Sequence, residues 1–195
     1  MPREELLQID VPFSIAIDPT AQNATEIAQS YRDAGFEVLA LASDLPVAAE
    51  PSDVAVALTG YFEVLNQSVA LLDPVDARIQ KNRNLLQPVL GAIRDSGHGL
   101  ITYEQGLNTA QRAAQREGIA SATVFRVLDA EREQAPLIKR YLSRAAFTAS
   151  NDGAVVVVGH TYPETVSAVV DWAQNQKGED LSVVPVSQIM LREGG

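Results

Sequence analysis

A run of five apolar residues, Ala154 to Val158, constrains the fold more than any other feature of this chain. It ends in Gly159-His160, and Pro163 follows at a place suited to the first turn of a helix. A strand that is apolar at every position is typical of a parallel sheet covered on both faces. The pattern therefore predicts a buried parallel strand that delivers one titratable side chain, His160, to the mouth of an α/β fold.

The rest of the chain repeats this order of a strand-length apolar run followed by a helical pattern. Strands are predicted at 13–17, 36–41, 69–72, 100–103, 122–127, 154–158 and 181–186, and helices at 23–34, 53–66, 84–95, 108–117, 131–149 and 163–176. Short right-handed crossovers between them favour parallel pairing. We therefore expect an α/β fold with about seven mainly parallel strands; a barrel and an open doubly wound sheet both satisfy the pattern.

Composition excludes several classes of protein. With 195 residues, 46% of them hydrophobic, the chain can bury one sizeable core, and it has no cysteine for disulfides or thiolate metal sites. A net charge of −10 repels phosphate backbones and anionic membrane surfaces, which argues against nucleic acid as a partner. No stretch reaches the ~18 apolar residues of a membrane span, and the first five residues lack the apolar core of a secretory signal.

Polar side chains gather where the predicted strands end. In a parallel α/β fold the functional face lies at the carboxyl ends of the strands. The residues at those ends are Asp18, Asp44, Asp73, Tyr103, Glu104, Arg126, Asp129, His160 and Tyr162. Carboxylates that converge beside a histidine supply candidate acid and base groups. The alternative for each carboxylate is structural, since Asp beside Pro or before a helix often caps that helix or forms an Asx turn.

Other motifs add little chemistry. The sequence contains no G-x-x-x-x-G-K-[ST], no G-x-G-x-x-G and no G-x-S-x-G, so phosphate-loop, dinucleotide and serine hydrolase chemistry lack their motifs. His98, at a predicted helix end, and Trp172, on the helix after His160, are interpreted as structural. Phe125 joins Tyr103 and Tyr162 as a candidate aromatic surface for a sugar.

Several segments, taken in order, resemble one known family. They are Pro12–Pro19, Ala34–Leu39, Leu86–Leu90, Val127–Asp129 and above all Val158–Thr165, with its Gly-His-x-Tyr-Pro element. From about Pro12 to Val186 the sequence resembles the divergent polysaccharide deacetylases, relatives of the NodB-type carbohydrate esterases. The resemblance implies a distorted (β/α) barrel, a periplasmic location and metal-assisted attack of water on a sugar acetamide. His160 and Asp129 match the family's catalytic pattern.

The resemblance also places the family's metal ligands, and there the chain departs from it. The family holds its metal on one Asp and two His, and the two His positions fall on Leu41 and Pro74. Its Asp pair lies on a strand that would precede Pro12, where the first eleven residues offer only Asp10. We therefore expect residues 12–195 to form a deacetylase-like barrel domain that binds no metal or other cofactor, with 1–11 as an N-terminal extension or a truncated start.

Two functions follow from these observations. The first is a binding module without metal-dependent deacetylase activity, whose partner is a glycan or an envelope protein. The alternative is an active carbohydrate hydrolase, in which Asp18, Asp44, Asp73 or Glu104 hold a divalent cation or which residues upstream of Met1 complete. The oligomeric state is left open by the sequence.

Overall fold

The structure, a computed structural model, describes residues 6–7, 9, 11–46, 50–175 and 181–193. Its centre is one curled sheet of six parallel strands, a half-barrel in which each strand pairs with the next one along the chain. The strands are β1 (Ser14–Ile17), β2 (Glu37–Leu41), β3 (Ser68–Leu72), β4 (Gly99–Tyr103), β5 (Ser121–Val127) and β6 (Val156–Val158). The predicted α/β fold with an incomplete, mainly parallel barrel is confirmed.

Eight helices accompany the sheet in the described part of the chain. They are α1 (Ala24–Asp33), α2 (Pro51–Val64), α3 (Arg78–Lys81), α4 (Arg83–Ser96), α5 (Thr109–Arg116), α6 (Ala135–Asp152), α7 (Pro163–Asn175) and α8 (Val186–Glu193). Local sequence sets the ends of α4: the Asn82 side chain accepts the N–H of Asn84 at 3.0 Å, and Gly97 takes the left-handed conformation that ends the helix. None of these described helices combines the length and the apolar content needed to cross a membrane.

Strand side chains alternate between two faces, and each face has its own core. On the outer face, Val38, Ala40 and Leu71 pack in a cluster with buried side chains of α1, α2, α4 and α5. On the inner face, Leu39 and Leu72 belong to a second cluster that includes side chains of α8. Because both faces are covered, the strands are continuous apolar runs rather than alternating ones.

The seventh predicted strand, 181–186, is not formed. Residues 181–185 run without regular structure, and α8 begins at Val186 because the apolar residues Val186, Ile189 and Met190 recur at helical spacing. Two groups at the starts of β1 and β2 bind its first turn: Ser14 Oγ accepts the N–H of Val186 at 2.8 Å, and Glu37 accepts that of Ser187 at 3.2 Å. The helix therefore lies at the amino end of the strands, opposite the end where the predicted site residues lie.

Candidate functional site

Asp129 and His160 lie side by side because they follow two neighbouring strands. Parallel pairing of β5 with β6 continues to the end of both strands, where the N–H of Leu128 donates to the carbonyl of Val158 at 2.8 Å. Asp129 follows Leu128, and His160 stands two residues beyond Val158. The two side chains thus meet at the carboxyl end of the sheet, where a parallel α/β fold presents its functional groups.

The Asp129 carboxylate is fully buried and holds His160 by two contacts. One oxygen, Oδ1, is 2.8 Å from Nδ1 of the imidazole, and the other, Oδ2, accepts the backbone N–H of His160 at 2.8 Å. Oδ2 also accepts the hydroxyl of Thr165 at 2.6 Å. Since a carboxylate accepts and does not donate, Nδ1 carries the proton and Nε2 is left for other partners. The His160 side chain is 45% exposed, so Nε2 is accessible from the rim of the half-barrel.

Gly159 and Thr165 make this close packing possible. A Cβ at Gly159 would lie 2.7 Å from Cγ2 of Thr165 and 3.6 Å from the Asp129 carboxylate, so no larger residue fits without displacement. Thr165 stands in the first turn of α7, two residues after Pro163, and is 3% exposed. The short link between β6 and α7 therefore turns the threonine hydroxyl back onto the carboxylate that orients His160.

Two further side chains extend the pair into a stack. The rings of His160 and Tyr162 are stacked with centroids 5.0 Å apart and planes at 17°. The guanidinium carbon of Arg132 lies 3.6 Å from the centroid of the Tyr162 ring, a cation–π contact. Arg132 has a left-handed φ of 56°, and its N–H donates to the carbonyl of Asp129 at 3.1 Å. We call Asp129, Arg132, His160, Tyr162 and Thr165 the rim cluster.

Asp73, another residue predicted at the strand ends, hydrogen-bonds backbone N–H groups with its carboxylate. Its two oxygens accept the N–H groups of Ile79 at 2.9 Å and Gln80 at 3.1 Å, which fixes the start of α3. Burial raises its pKa to about 6, although these two hydrogen bonds act in the opposite direction. Its carboxylate is fully buried, and its described contacts are those of a helix cap.

Tyr103 is buried rather than presented as a sugar platform. Its residue is 7% exposed, and burial, with a smaller effect of the Asp73 charge, raises the pKa of its hydroxyl. The Gln80 side chain bonds its backbone twice, accepting the N–H at 2.7 Å and donating to the carbonyl at 3.0 Å. Tyr103 therefore contributes to the inner core beneath the mouth.

The other predicted residues, Asp18, Asp44 and Arg126, have no described contact with the rim cluster. Burial acts to raise the pKa of Asp18, but hydrogen bonds from the Thr20 backbone and hydroxyl outweigh it and lower that pKa. Asp44 is exposed, and Arg126 stacks over Tyr141 of α6 at 4.3 Å.

Glu104 and Phe125 line an open groove of about 420 Å³ together with side chains of α5 and the beginning of β6. Away from the rim, His98 stacks on Phe62 at 3.6 Å and Trp172 packs against a core cluster, as their structural interpretation predicts.

The residues described here do not supply the metal site that the resemblance implies. Among them, no three His, Asp or Glu side chains lie close enough together to hold a metal ion. Leu41 and Pro74, at the positions that the resemblance assigns to histidine ligands, have hydrocarbon side chains without a donor atom. Asp10, the carboxylate named for the first residues, lies outside the described part of the chain.

Sequence reasoning missed three residues of this region. Thr165 has a recognisable signal, since a hydroxyl in the first turn of the helix that follows His160 can turn back toward it. Gln80 and Arg132 have none, because the first acts on a strand 23 residues away and the second depends on a left-handed backbone angle at a residue other than glycine.

Comparison with known proteins gives consistent results. The profile of the divergent polysaccharide deacetylase family matches residues 2–190. YibQ of Escherichia coli strain K12, described as uncharacterized, is 22% identical over 95% of this chain, and the chain spans 62% of the length of YibQ. The crystal structure of the uncharacterized protein ATU2773 from Agrobacterium tumefaciens C58 superposes with a TM-score of 0.80 at 15% identity, covering 96% of this chain and 82% of that one.

The structural neighbour shows the shared fold, and the family profile covers nearly the whole chain, including the Gly-His-x-Tyr-Pro element that builds the rim cluster. The chain therefore belongs to the divergent polysaccharide deacetylase family.

Proposed function

We propose that this domain binds glycan strands at the rim cluster in the periplasm, as part of cell-envelope metabolism, and that it does so without metal-dependent deacetylation. The observation that carries the proposal is the preformed stack of His160 and Tyr162 on a fully buried Asp129. The periplasmic location rests on the family resemblance.

The stack has the two properties that sugar recognition uses. The Tyr162 ring is already in contact with His160 and Arg132, so the flat surface left to a sugar is the 45% exposed imidazole of His160, and apolar faces of sugar rings pack on such rings beside polar groups. His160 presents Nε2 in a direction fixed by Asp129, so it can hydrogen-bond a sugar hydroxyl or acetamide without first being ordered. These features favour a glycan over an envelope protein, which would need a larger apolar patch.

The proposed loss of deacetylation follows from the donor set. A histidine that protonates a leaving amine accelerates hydrolysis only when a nucleophilic water is activated beside it. A metal that activates water needs about three firm protein ligands and one open position. Asp129 and His160 are in contact with each other, and among the described residues no third acid or histidine joins them in a group that could hold a metal ion.

Titration of the full chain with chitooligosaccharides, followed by NMR, tests the binding. The chain has only two histidines, so each imidazole signal is assigned by one substitution. Saturable shifts of the His160 signal, which His160→Gln identifies by its disappearance and which the matched control His98→Gln should keep, are the expected result. Shifts absent at millimolar saccharide, or confined to His98, would contradict the proposal.

A second candidate function is metal-assisted deacetylation. The observation in its favour is the same Asp129–His160 contact, because a carboxylate that fixes an imidazole through Nδ1 supports a general base at Nε2 and, once Nε2 is protonated, a general acid. Acetate release from chitooligosaccharide or peptidoglycan fragments separates the two candidates. Release that a chelator abolishes and added zinc restores would establish the second candidate and refute the first.

A further inference from the structure

Arg132 occupies the rim cluster at a conformational cost. Its φ of 56° lies in the left-handed region, which residues other than glycine, asparagine and aspartate seldom adopt. Such strained residues concentrate at functional sites, where the surrounding structure holds them in place. Here the hydrogen bond from the Arg132 N–H to the Asp129 carbonyl and the contact with the Tyr162 ring hold it.

The stacking leaves the donors of the guanidinium directed away from the ring. A guanidinium carbon 3.6 Å from the ring centroid is too close for an edge-on approach, so the group lies flat on Tyr162 and its N–H bonds run along the ring plane, at an exposed position. Glu131 and Glu133 flank it in sequence, but the Glu133 carboxylate accepts the N–H of Glu131 at 2.8 Å. In the described part of the chain no carboxylate lies within ion-pair distance of Arg132.

We infer that the rim cluster selects saccharides that carry a carboxylate, and that Arg132 is the residue that recognises it. The planar guanidinium forms paired hydrogen bonds with a carboxylate, and Nε2 of His160, on the same Tyr162 ring, accepts a hydrogen bond from a neighbouring hydroxyl or acetamide N–H. This inference rests on the proposed glycan binding and adds the class of sugar.

The net charge of the chain disfavours anionic ligands at any site without a local cation. At −10 the protein as a whole repels anions, so a preference for an anionic sugar depends on a local cation and not on the general field. Arg132 is such a cation, and it contacts the same Tyr162 ring as His160, the exposed side chain that Asp129 orients.

Isothermal titration with matched saccharides tests the inference. The probes are a chito-oligomer, the same-length oligomer with alternating N-acetylmuramic acid, and the methyl ester of the latter. An oligomer of hexuronic acids distinguishes a ring carboxylate from the lactyl carboxylate of muramic acid, and preference for either supports the inference.

We expect the wild-type chain to bind a free carboxylate about fivefold or more tightly than the ester or the chito-oligomer, with a ratio that falls as salt is raised. Arg132→Gln should bring the probes to equal affinity while the chito-oligomer still binds, and Arg132→Lys should keep part of the ratio. Arg192→Gln, which removes the same charge from α8 at the opposite end of the strands, should leave the ratio unchanged.

The titrations separate failure of the carboxylate preference from failure of glycan binding itself. Equal binding of all probes by the wild-type chain overturns the inference and leaves glycan binding intact. A ratio that survives Arg132→Gln, or that Arg192→Gln removes equally, also overturns it. Absence of binding by every saccharide overturns the proposed function together with the inference.

Discussion

Replacing Gly159 with alanine tests the packing that holds His160 in place. The added Cβ would lie 2.7 Å from Cγ2 of Thr165, far inside the ordinary carbon–carbon contact distance of about 3.5–4.0 Å. Thr165 is 3% exposed and its hydroxyl donates to Asp129 at 2.6 Å, so it moves only by lengthening that bond. Gly159 does not have a positive φ, so the expected effect is steric.

Two contributions set the magnitude. Overpacking a buried contact costs about 1–3 kcal/mol, and weakening a hydrogen bond to a charged group adds about 1 kcal/mol. We expect Gly159→Ala to lower the free energy of unfolding by about 2–4 kcal/mol, which lowers Tm by about 4–16 °C in a chain of this length. Urea unfolding and calorimetry measure both quantities. As a matched control, Gly91→Ala in α4 meets nothing within 4 Å and should raise the free energy by about 0.5–1 kcal/mol, because alanine is the better helix former.

A double-mutant cycle identifies the clash. Thr165→Ser removes Cγ2 but keeps the hydroxyl on Asp129, and alone it should cost about 1 kcal/mol for the lost methyl group. If Cγ2 is the obstacle, Gly159→Ala with Thr165→Ser should be more stable than the sum of the single changes by about 1 kcal/mol or more. Additive costs, or a Gly159→Ala protein as stable as the wild type, would refute the packing argument.

Three further measurements test other contacts. Asp129→Asn should move the His160 proton from Nδ1 to Nε2, because an amide NH₂ then faces Nδ1 in place of an acceptor oxygen. The ¹⁵N NMR spectrum of the imidazole reports the tautomer, and an unchanged tautomer would contradict the hydrogen bond from Nδ1 to Asp129. Burial raises the pKa of Asp73 from 3.8 to about 6 in the folded state, so its stabilising contribution is fully present below pH ~4, and about 3 kcal/mol of it is lost as pH rises through 6. Urea unfolding between pH 4 and 8 should show this loss of stability, and Asp73→Asn should abolish the pH dependence. A ¹³C titration that places the pKa of the Asp73 carboxyl near 4 would contradict the prediction. Ser14→Ala removes the acceptor for the Val186 N–H and should cost about 1 kcal/mol and speed amide exchange in α8, so unchanged exchange there would count against the cap.

The sequence was sufficient to place His160 and Asp129 at the same edge of the sheet. Each follows an apolar run, and parallel strands bring their carboxyl ends together. The contacts between them were beyond sequence reasoning, because they depend on how closely Gly159 approaches Thr165 and on a carboxylate oxygen shared by a backbone N–H and a hydroxyl. Differences of a few tenths of an ångström decide whether these contacts form, and residue patterns do not encode such differences.

The same rule overestimated how far the other carboxylates gather. Asp73 and Asp18 do follow strands, but each is used within a few residues of its own position, Asp73 by the N–H groups of Ile79 and Gln80 and Asp18 by Thr20. A strand-end position predicts which edge a side chain lies on. It does not predict whether a nearer backbone donor takes that side chain first.

The last segment was misread for a related reason. Residues 181–186 form a short, mainly apolar run with three valines, which favours a strand. Pro185 has no N–H to donate to a sheet, and the apolar residues from Val186 onward follow helical spacing. Packing on the inner face of the half-barrel then outweighs the strand propensity of the preceding residues.

Three buried carboxylates in the described structure, Glu37, Asp73 and Asp129, show why the rim cluster is the place to look for function. Glu37 binds the Ser14 hydroxyl and the start of α8, and Asp73 binds the start of α3, so both bond groups that the fold itself must satisfy. Asp129 alone directs one of its oxygens to a side chain that is 45% exposed. Water could satisfy that imidazole equally well, and ordering an exposed side chain costs conformational entropy with little burial in return. The hydrogen bond from the exposed His160 imidazole to the buried Asp129 carboxylate therefore contributes little to folding. Its role is to orient His160 toward whatever binds at the rim.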